Sequence, residues 1–284
     1  MLKLITWNIQ SCRSQAGGTN LGSIVACLDR FSDFDVLCLQ EVSSGHLARD
    51  GSDGGDQFAG LTERLPNYTA VSGIATDTLH PPRGRRKLGS MIFSRYPVLQ
   101  VLRHSLPWPA DPEVMSMPRI ALEATLDTPL GVLRVTTTHL EYFSERQRTA
   151  QVNHLRELHR EACLHARSPR PGDESHGAFA AVPRGEPAIL MGDFNMLPHS
   201  PEYTRMIAPF GDGTPAYRDA WQLVQPGRRH APTVGLHDDG PDAGLPFTFD
   251  YAFVSADLAP RVRRVRVEGS EEGSDHQALL LELQ

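Results

Sequence analysis

Ile189-Leu190-Met191-Gly192-Asp193-Phe194-Asn195 is a short apolar run that ends in a glycine and two polar side chains. It reads as a buried strand that delivers Asp193 and Asn195 to the rim of a sheet. Taken alone, Gly-Asp-Phe-Asn is also ordinary turn chemistry, because Gly supplies unusual dihedrals and Asp or Asn hydrogen-bonds its own backbone. Other stretches of the chain decide between the two readings.

The same form recurs on both sides of this run. Leu2 to Trp7 reads as a strand that presents Asn8, unless Asn8 merely opens the turn that follows. Asp35 to Gln40 reads as a buried strand ending in Gln40-Glu41-Val42. Glutamate is rarely buried without a cation or metal, so Glu41 is either a ligand or a solvated strand end. In the strand Val132 to His139, a period of two puts Leu133, Val135, Thr137 and His139 on one face. Phe247 to Val254 reads as a strand with Thr248, Asp250 and Ala252 on one face. Gly273-Ser274-Asp275-His276 precedes the last apolar run, Ala278 to Leu281.

Between these lie the supporting elements. Leu21, Ile24, Val25, Leu28 and Phe31 recur at helical spacing behind Asn20, and Ser144 with Gln147 forms a capping-box pattern opening a helix to about His165. On that helix Arg148 and Gln151 either face water or brace the loops near His139. Further strands are expected at Tyr68 to Ile74, Leu88 to Phe93, Val98 to His104, Ile120 to Leu126 and Val262 to Val267, and a short helix over Pro201 to Met206. The arginines 261, 263, 264 and 266 read as charge protecting an edge strand. Ser43 to Asp56, Ala75 to Lys87, Ala166 to Gly185 and Asp212 to Pro246 read as loops, the last with one helical turn around Trp221. Asp50, Asp53 and Asp56 mimic a calcium loop but lack the bidentate Glu at the required distance, which rejects that site. Arg83, Arg85, Arg86 and Lys87 are either a solvated charge run or a clamp for substrate phosphates.

Composition sets the outer bounds. With 284 residues and 40% hydrophobic content, a substantial core is available, and one domain over 1–284 is expected. The balance of 28 basic and 34 acidic residues gives a net charge of -6, so there is no global attraction for polyanions. No apolar run approaches the roughly 20 residues that cross a bilayer, and the chain start lacks a secretory pattern. A soluble, cytoplasmic monomer without membrane insertion is expected. Cys12, Cys27, Cys38 and Cys163 form no Cys-x-x-Cys pair and read as reduced structural thiols.

Asn8, Glu41, His139, Asp193, Asn195, Asp250, Asp275 and His276 all stand where an apolar run stops or starts. In this the sequence resembles the endonuclease/exonuclease/phosphatase superfamily, the metal-dependent phosphohydrolases that include DNase I-like and exonuclease III-like enzymes. The matching segments occur in the family's order: Thr6-Trp7-Asn8, Leu39-Gln40-Glu41-Val42, Ser94-Arg95-Tyr96-Pro97, Thr138-His139-Leu140-Glu141, Gly192-Asp193-Phe194-Asn195, Asp250-Tyr251-Ala252-Phe253 and Ser274-Asp275-His276.

The resemblance implies an α/β fold, a four-layer α/β sandwich of two mixed β-sheets packed face to face and flanked by helices. It implies that Glu41 is the principal ligand of Mg²⁺ or Mn²⁺, with Asn8 and Asp275 assisting. It further implies that Asp193 orients or deprotonates the attacking water, that Asn195 and His139 donate to the phosphate, and that His276, supported by Asp250, sits against the scissile phosphate. Arg119 resembles a family arginine near the phosphate, or is a structural strand-end residue. Exonuclease III-like relatives often carry an acid two residues beyond the first Asn, where this chain has Gln10, which weakens an abasic-site nuclease reading. The implied reaction is hydrolysis of a phosphoester, either a small molecule or nucleic acid; Thr138-His139-Leu140-Glu141 with Arg148 and Gln151 is similar to tyrosyl-DNA phosphodiesterase-like members. A phospholipid head group is a third option, with Phe247 and Phe249 read as core and not as membrane anchors. The alternative class is a catalytically silent relative that serves as a binding module.

Overall fold

Alternation of apolar side chains along the first strand sets the layering of the molecule. In β1 (Leu2–Asn8), Leu2 and Leu4 enter one core while Ile5 and Trp7 enter another, so both faces of the strand are covered. The same division runs through β2 (Val36–Ser44), where Val36 and Cys38 face one way and Leu37 and Leu39 the other. Strands buried on both faces read as continuous apolar runs, and helices must cover the outer side. The structure is a computed structural model that describes residues 1–13, 20–31, 33–46, 54–81, 84–169, 171–172, 177–237, 244–270 and 273–284.

One six-stranded sheet has the order β11-β12-β1-β2-β4-β3, with β3 (Thr69–His80), β4 (Gly84–Ser94), β11 (Val262–Val267) and β12 (Leu279–Leu283). The other has the order β5-β6-β7-β8-β10-β9, with β5 (Val98–Ser105), β6 (Ile120–Thr128), β7 (Gly131–His139), β8 (Ala188–Asp193), β9 (Tyr217–Asp219) and β10 (Asp250–Ser255). Both are mixed: β1 and β2 are parallel, as are β7 and β8, and the remaining pairs are antiparallel.

Leu2, Leu4, Val36, Cys38 and Ile92 from the first sheet pack on Leu122, Ala124, Val135, Ile189, Met191 and Ala252 from the second, forming the central core. Outside the first sheet, α1 (Leu21–Phe31) and α2 (Gln57–Arg64) cover Ile5, Trp7, Leu37, Leu39 and Phe93. Outside the second, α3 (Glu145–Arg167) and α4 (Pro201–Ile207) cover Ala121, Leu190, Tyr251 and Phe253. Three cores separate four layers, the sandwich expected from the sequence. Each fully buried Leu, Ile or Phe contributes about 1.5–3 kcal/mol relative to an exposed one, so all three cores contribute to the stability of the fold.

Several local expectations change. Ala75 to Lys87 is largely strand, because β3 and β4 continue as a ladder through Thr76↔Leu88, Asp77↔Lys87, Thr78↔Arg86, Leu79↔Arg85 and His80↔Gly84. Opposite charges facing across that ladder, with Arg85 bonded to Asp77 at 2.6 Å, make a polar hairpin whose strand character a composition reading missed. Arg83 lies outside the described residues, as do Asp50 and Asp53. Asp56 caps α2, accepting from the backbone of Phe58 and Ala59. The strand expected from Phe247 begins only at Asp250, and Phe247 instead bridges to Val234. Asp212 to Pro246 carries β9 and α5 (Ala220–Val224), the latter being the turn expected at Trp221.

Other expectations hold. Ser144 caps α3 through Gln147 N at 3.1 Å, although the Gln147 side chain reaches Pro109 O and Ser116 Oγ instead of closing the box. Arg148 and Gln151 brace the turn after His139: Arg148 donates to the carbonyls of Glu141 and Tyr142, and Gln151 accepts from Glu141 N. Strand β11 is the edge of its sheet, with Val262 and Val265 inside and Arg263 and Arg264 exposed, whereas Arg266 is half-buried and donates to Phe31 O at 2.8 Å. None of the four cysteines is in a disulfide, and all four are buried. Among the described residues no helix is long and apolar enough to cross a membrane.

Candidate active site

Each central strand keeps its inward face apolar until its last residues and then turns polar at the same rim. On β1 the inward series is Leu2, Leu4, Thr6, Asn8; on β7 it is Leu133, Val135, Thr137, His139; on β8 it is Ile189, Met191, Asp193. Because β10 runs antiparallel to β8, its first residue, Asp250, reaches that rim and pairs directly with Asp193. Strand β12 runs antiparallel to β1, so Asp275 and His276, which precede it, arrive there too. His139 lies opposite Asp193 across the β7–β8 ladder.

The convergence centres on one atom. Asp193 Oδ2 accepts from Asn8 Nδ2 at 3.0 Å and lies 3.4 Å from His139 Nε2 and 3.6 Å from His276 Nε2. The two imidazole distances are too long for firm hydrogen bonds. Asn8 Nδ2 also donates to Glu41 Oε1 at 3.0 Å, and His139 Nδ1 is 3.9 Å from that same oxygen. Asp250 Oδ2 sits 2.8 Å from His276 Nδ1. Thus Asn8, Glu41, His139, Asp193, Asp250 and His276 form one cluster drawn from both sheets.

Backbone geometry at this rim departs from the regular strand. Glu41 has φ 57 and occupies a bulge, where Gln40 and Glu41 together face Ser90 between the pairs Leu39↔Met91 and Val42↔Gly89. A left-handed glutamate in a sheet costs on the order of 1 kcal/mol or more, and bulges re-aim side chains beside functional sites. Asn195 is also left-handed, at φ 48. Its backbone N–H donates to Asp193 Oδ1 at 2.9 Å and its side-chain amide donates to Leu140 O at 2.9 Å, so one amide proton remains for another acceptor. Gly192 is required: at φ 144 an added Cβ would stand 2.1 Å from Thr138 O.

Electrostatics separate the roles. Burial pushes the Asp193 carboxyl up, to about 7, with the neighbouring charge of Asp250 adding to the rise and His276 opposing it. Burial works against the His276 imidazolium, but the Asp250 and Asp193 carboxylates outweigh it and hold its pKa well above the usual range. Burial, aided by the Arg119 and His276 cations, holds His139 well below that range, so it is a neutral donor. Glu41 is raised by burial, partly offset by the Asn8 hydrogen bond and by His276. Asp193, Asp250 and His276 each bring a potential metal-ligating atom within 4.8 Å of the others. The two nitrogens of the single imidazole face different carboxylates, Nδ1 toward Asp250 Oδ2 at 2.8 Å and Nε2 toward Asp193 Oδ2 at 3.6 Å.

Arg119 is buried and bonds Glu141 Oε2 through Nε at 3.2 Å, while its Nη1 has no hydrogen-bond partner. It lines a small pocket together with Glu41 and His139. Asp275 accepts from Gln10 Nε2 at 2.7 Å, and Gln10 N donates to Asn8 Oδ1 at 3.0 Å. Gln10, noted in the sequence only as a departure, therefore ties Asn8 to Asp275.

Two further residues escaped the sequence reading. Gln40 is fully buried and donates to Thr6 Oγ1 at 3.0 Å and to Thr137 Oγ1 at 2.8 Å, joining the two sheets under the cluster. A glutamine inside an otherwise apolar strand was a readable signal. Thr233 accepts from Asp250 N at 3.2 Å through Oγ1 and from Gln277 N at 2.7 Å through its carbonyl. It clamps Asp250 and His276 together from a segment without periodicity, where no local signal existed.

This architecture is that of the DNase I-like sandwich, seen in an endonuclease/exonuclease/phosphatase from Bacteroides vulgatus with a TM-score of 0.68 at 19% identity, covering 100% of this chain and 99% of that one. A profile of the Endonuclease/Exonuclease/phosphatase family matches residues 5–276, and the chain belongs to that family of phosphoester hydrolases. It is also similar to a mannosyl-6-phosphatase from Bacteroides thetaiotaomicron VPI-5482, at 18% identity and TM-score 0.65 over 100% of both chains. Truncated TDP2 from Caenorhabditis elegans matches at 20% identity and TM-score 0.62 over 99% of this chain and 96% of that one. No curated protein sequence matches the chain.

Proposed function

We propose that the chain is a divalent-metal-dependent phosphoester hydrolase that cleaves P–O bonds by in-line attack of water. The observation that carries this reading is the meeting of Asn8, His139 and His276 on the buried Asp193 Oδ2, with Glu41 held beside them in a strained bulge.

Residues suited to a hard cation are present. The Glu41 side chain keeps 28% of its exposure at the mouth of the site, and burial of its charge is the main reason its carboxyl is raised, a cost that a bound cation removes. With the Asp275 carboxylate as a second oxygen donor, and Asn8 positioning Glu41 through its amide nitrogen, the set suits Mg²⁺ or Mn²⁺. Such an ion supplies Lewis-acid polarisation of a phosphoryl oxygen.

The chain's own groups account for the rest. Asp193 orients the attacking water and takes its proton, since burial brings its basicity toward neutrality. His276, kept protonated by Asp250, places a positive charge against the phosphate as negative charge develops. Neutral His139, the free Nη1 of Arg119 and the remaining amide proton of Asn195 donate to phosphate oxygens. This whole constellation belongs to one domain spanning the chain.

The relatives divide between a phosphatase named for a phosphosugar and TDP2, which in a Danio rerio structure is bound to a single-strand DNA product. Net charge of -6, and the pairing of Arg85 with Asp77, favour a small phosphoester over a polyanion. The test is a panel of bis-p-nitrophenyl phosphate, p-nitrophenyl phosphate, single- and double-stranded DNA, RNA and phosphoinositides, each with Mg²⁺, Mn²⁺ or chelator. Metal-dependent turnover of a small ester supports the reading. Inertness toward every substrate with either metal would replace it with the binding-module alternative.

A further inference from the structure

A cleft of about 640 Å³ opens between β5, α3 and residues 181–184, and its lining shares no residue with the catalytic cluster. Gln100, Leu102 and His104 enter it from one face of β5, the edge strand of the second sheet. Leu158, Glu161 and His165 enter from α3, and Val182 and Arg184 close the third side. A concavity of this size, lined by apolar and polar groups in similar measure, has room for a small molecule.

The buried charges that Arg184 joins behind this lining are not balanced. Two guanidiniums share one buried carboxylate: Arg134 Nη1 lies 3.3 Å from Glu123 Oε2, and Arg184 Nη2 lies 2.9 Å from Glu123 Oε1. The second approach is too poorly aligned to count as a hydrogen bond, which leaves Glu123 Oε1 without one. Arg134 is held further by Gly185 O, Glu186 O and His159, so its charge is fixed in the interior. Besides that ion pair Arg184 has one long hydrogen bond, to Gln100 Oε1 at 3.4 Å, and its Nε has no partner among the described residues. His104 Nε2 is likewise shut off from solvent with no partner. Arg134, Arg184 and Glu123 therefore sum to an excess of one positive charge, and Arg184 is the one of them that lines the cleft. At the rim, Glu161 is turned to its own helix neighbour His165 at 3.6 Å, and both are more than half exposed, so water screens them.

We propose that this cleft is a second ligand site, which takes a small amphiphilic oxyanion: an apolar body against Leu102, Leu158 and Val182, and a carboxylate, sulfonate or phosphate head on the Arg184 guanidinium. The head completes the charge balance that Glu123 leaves short, and the body covers apolar surface that α3 does not reach.

Anilinonaphthalenesulfonate and phenylnaphthylamine, which differ by the sulfonate, are the probes for fluorescence titration of the full chain. One sulfonate molecule should bind per chain. Arg184→Gln should weaken it at least about tenfold, the worth of one charge-assisted hydrogen bond, while changing phenylnaphthylamine binding less than about twofold. Val182→Trp, which fills the cleft from a loop, should abolish binding of both. Thermal unfolding of both variants at the parent Tm reports that the fold is intact. Undiminished sulfonate binding in Val182→Trp, or equal weakening of both probes by Arg184→Gln, would overturn the proposal.

Discussion

Replacing Asp193 with Asn changes one oxygen to nitrogen at the atom where three side chains meet. The carboxylate is 1% exposed, and burial is the main cause of its raised pKa, so the charged form is held at a cost relative to water. In the variant, the amide oxygen can keep the bond from Asn195 N, and the amide nitrogen then faces Asn8 Nδ2, donor against donor. The lost hydrogen bond costs about 1 kcal/mol, and relief of the buried charge offsets it. Stability should therefore fall by no more than about 1 kcal/mol, and a rise is equally consistent with this reasoning. Catalysis has no such compensation: an amide cannot take a proton from water, and loss of a general base lowers kcat by about 10² to 10⁴. Thermal denaturation and steady-state kinetics on the most active ester of the panel give both quantities. A variant that folds normally and retains turnover within about tenfold would remove Asp193 from the proton-transfer role, and one that fails to fold would show that the charge is structural.

Three other outcomes follow from the same geometry. Glu41→Gly should relieve the left-handed backbone and leave the apo protein as stable or up to about 1 kcal/mol more stable, while the upward Tm shift that Mg²⁺ gives the parent disappears; an unchanged Mg²⁺ shift would dismiss Glu41 as the ligand. Asp250→Asn should lower kcat about 10- to 100-fold with little change in KM, because it replaces a charge-assisted bond to His276 Nδ1 with a neutral one; a rise in KM alone would assign Asp250 to binding. His159, buried with Nδ1 facing Arg134 and Nε2 facing Pro215 O, has its pKa lowered to about 4, chiefly by burial and then by Arg134. The unfolded imidazole takes a proton as pH falls through about 6.5 and the native one does not until about 4, so about 3 kcal/mol of stability present above 6.5 is lost between these values. Urea unfolding of His159→Gln should be flatter across that window, and an identical pH profile would refute the assignment.

The sequence alone determined the alternation of strands and helices and the identity of the polar residues at strand ends. Apolar runs such as Ile189 to Met191 and Leu133 to Val135 are long enough to be read locally, and a period of two then dictates that Asp193 and His139 end the inward face. The ordered motifs carried the family resemblance, and with it the sandwich. What no local pattern contains is which rims coincide. Asp250 meets Asp193 because β10 is antiparallel to β8, and His276 joins them because β12 is antiparallel to β1, pairings fixed by packing over long sequence separations. The left-handed bulge at Glu41 depends on the register of β4 opposite it. Thr233 and Gln10 show the same limit: each is a single polar residue in an aperiodic stretch, and its role exists only in the distance to partners brought there by the closed sheets.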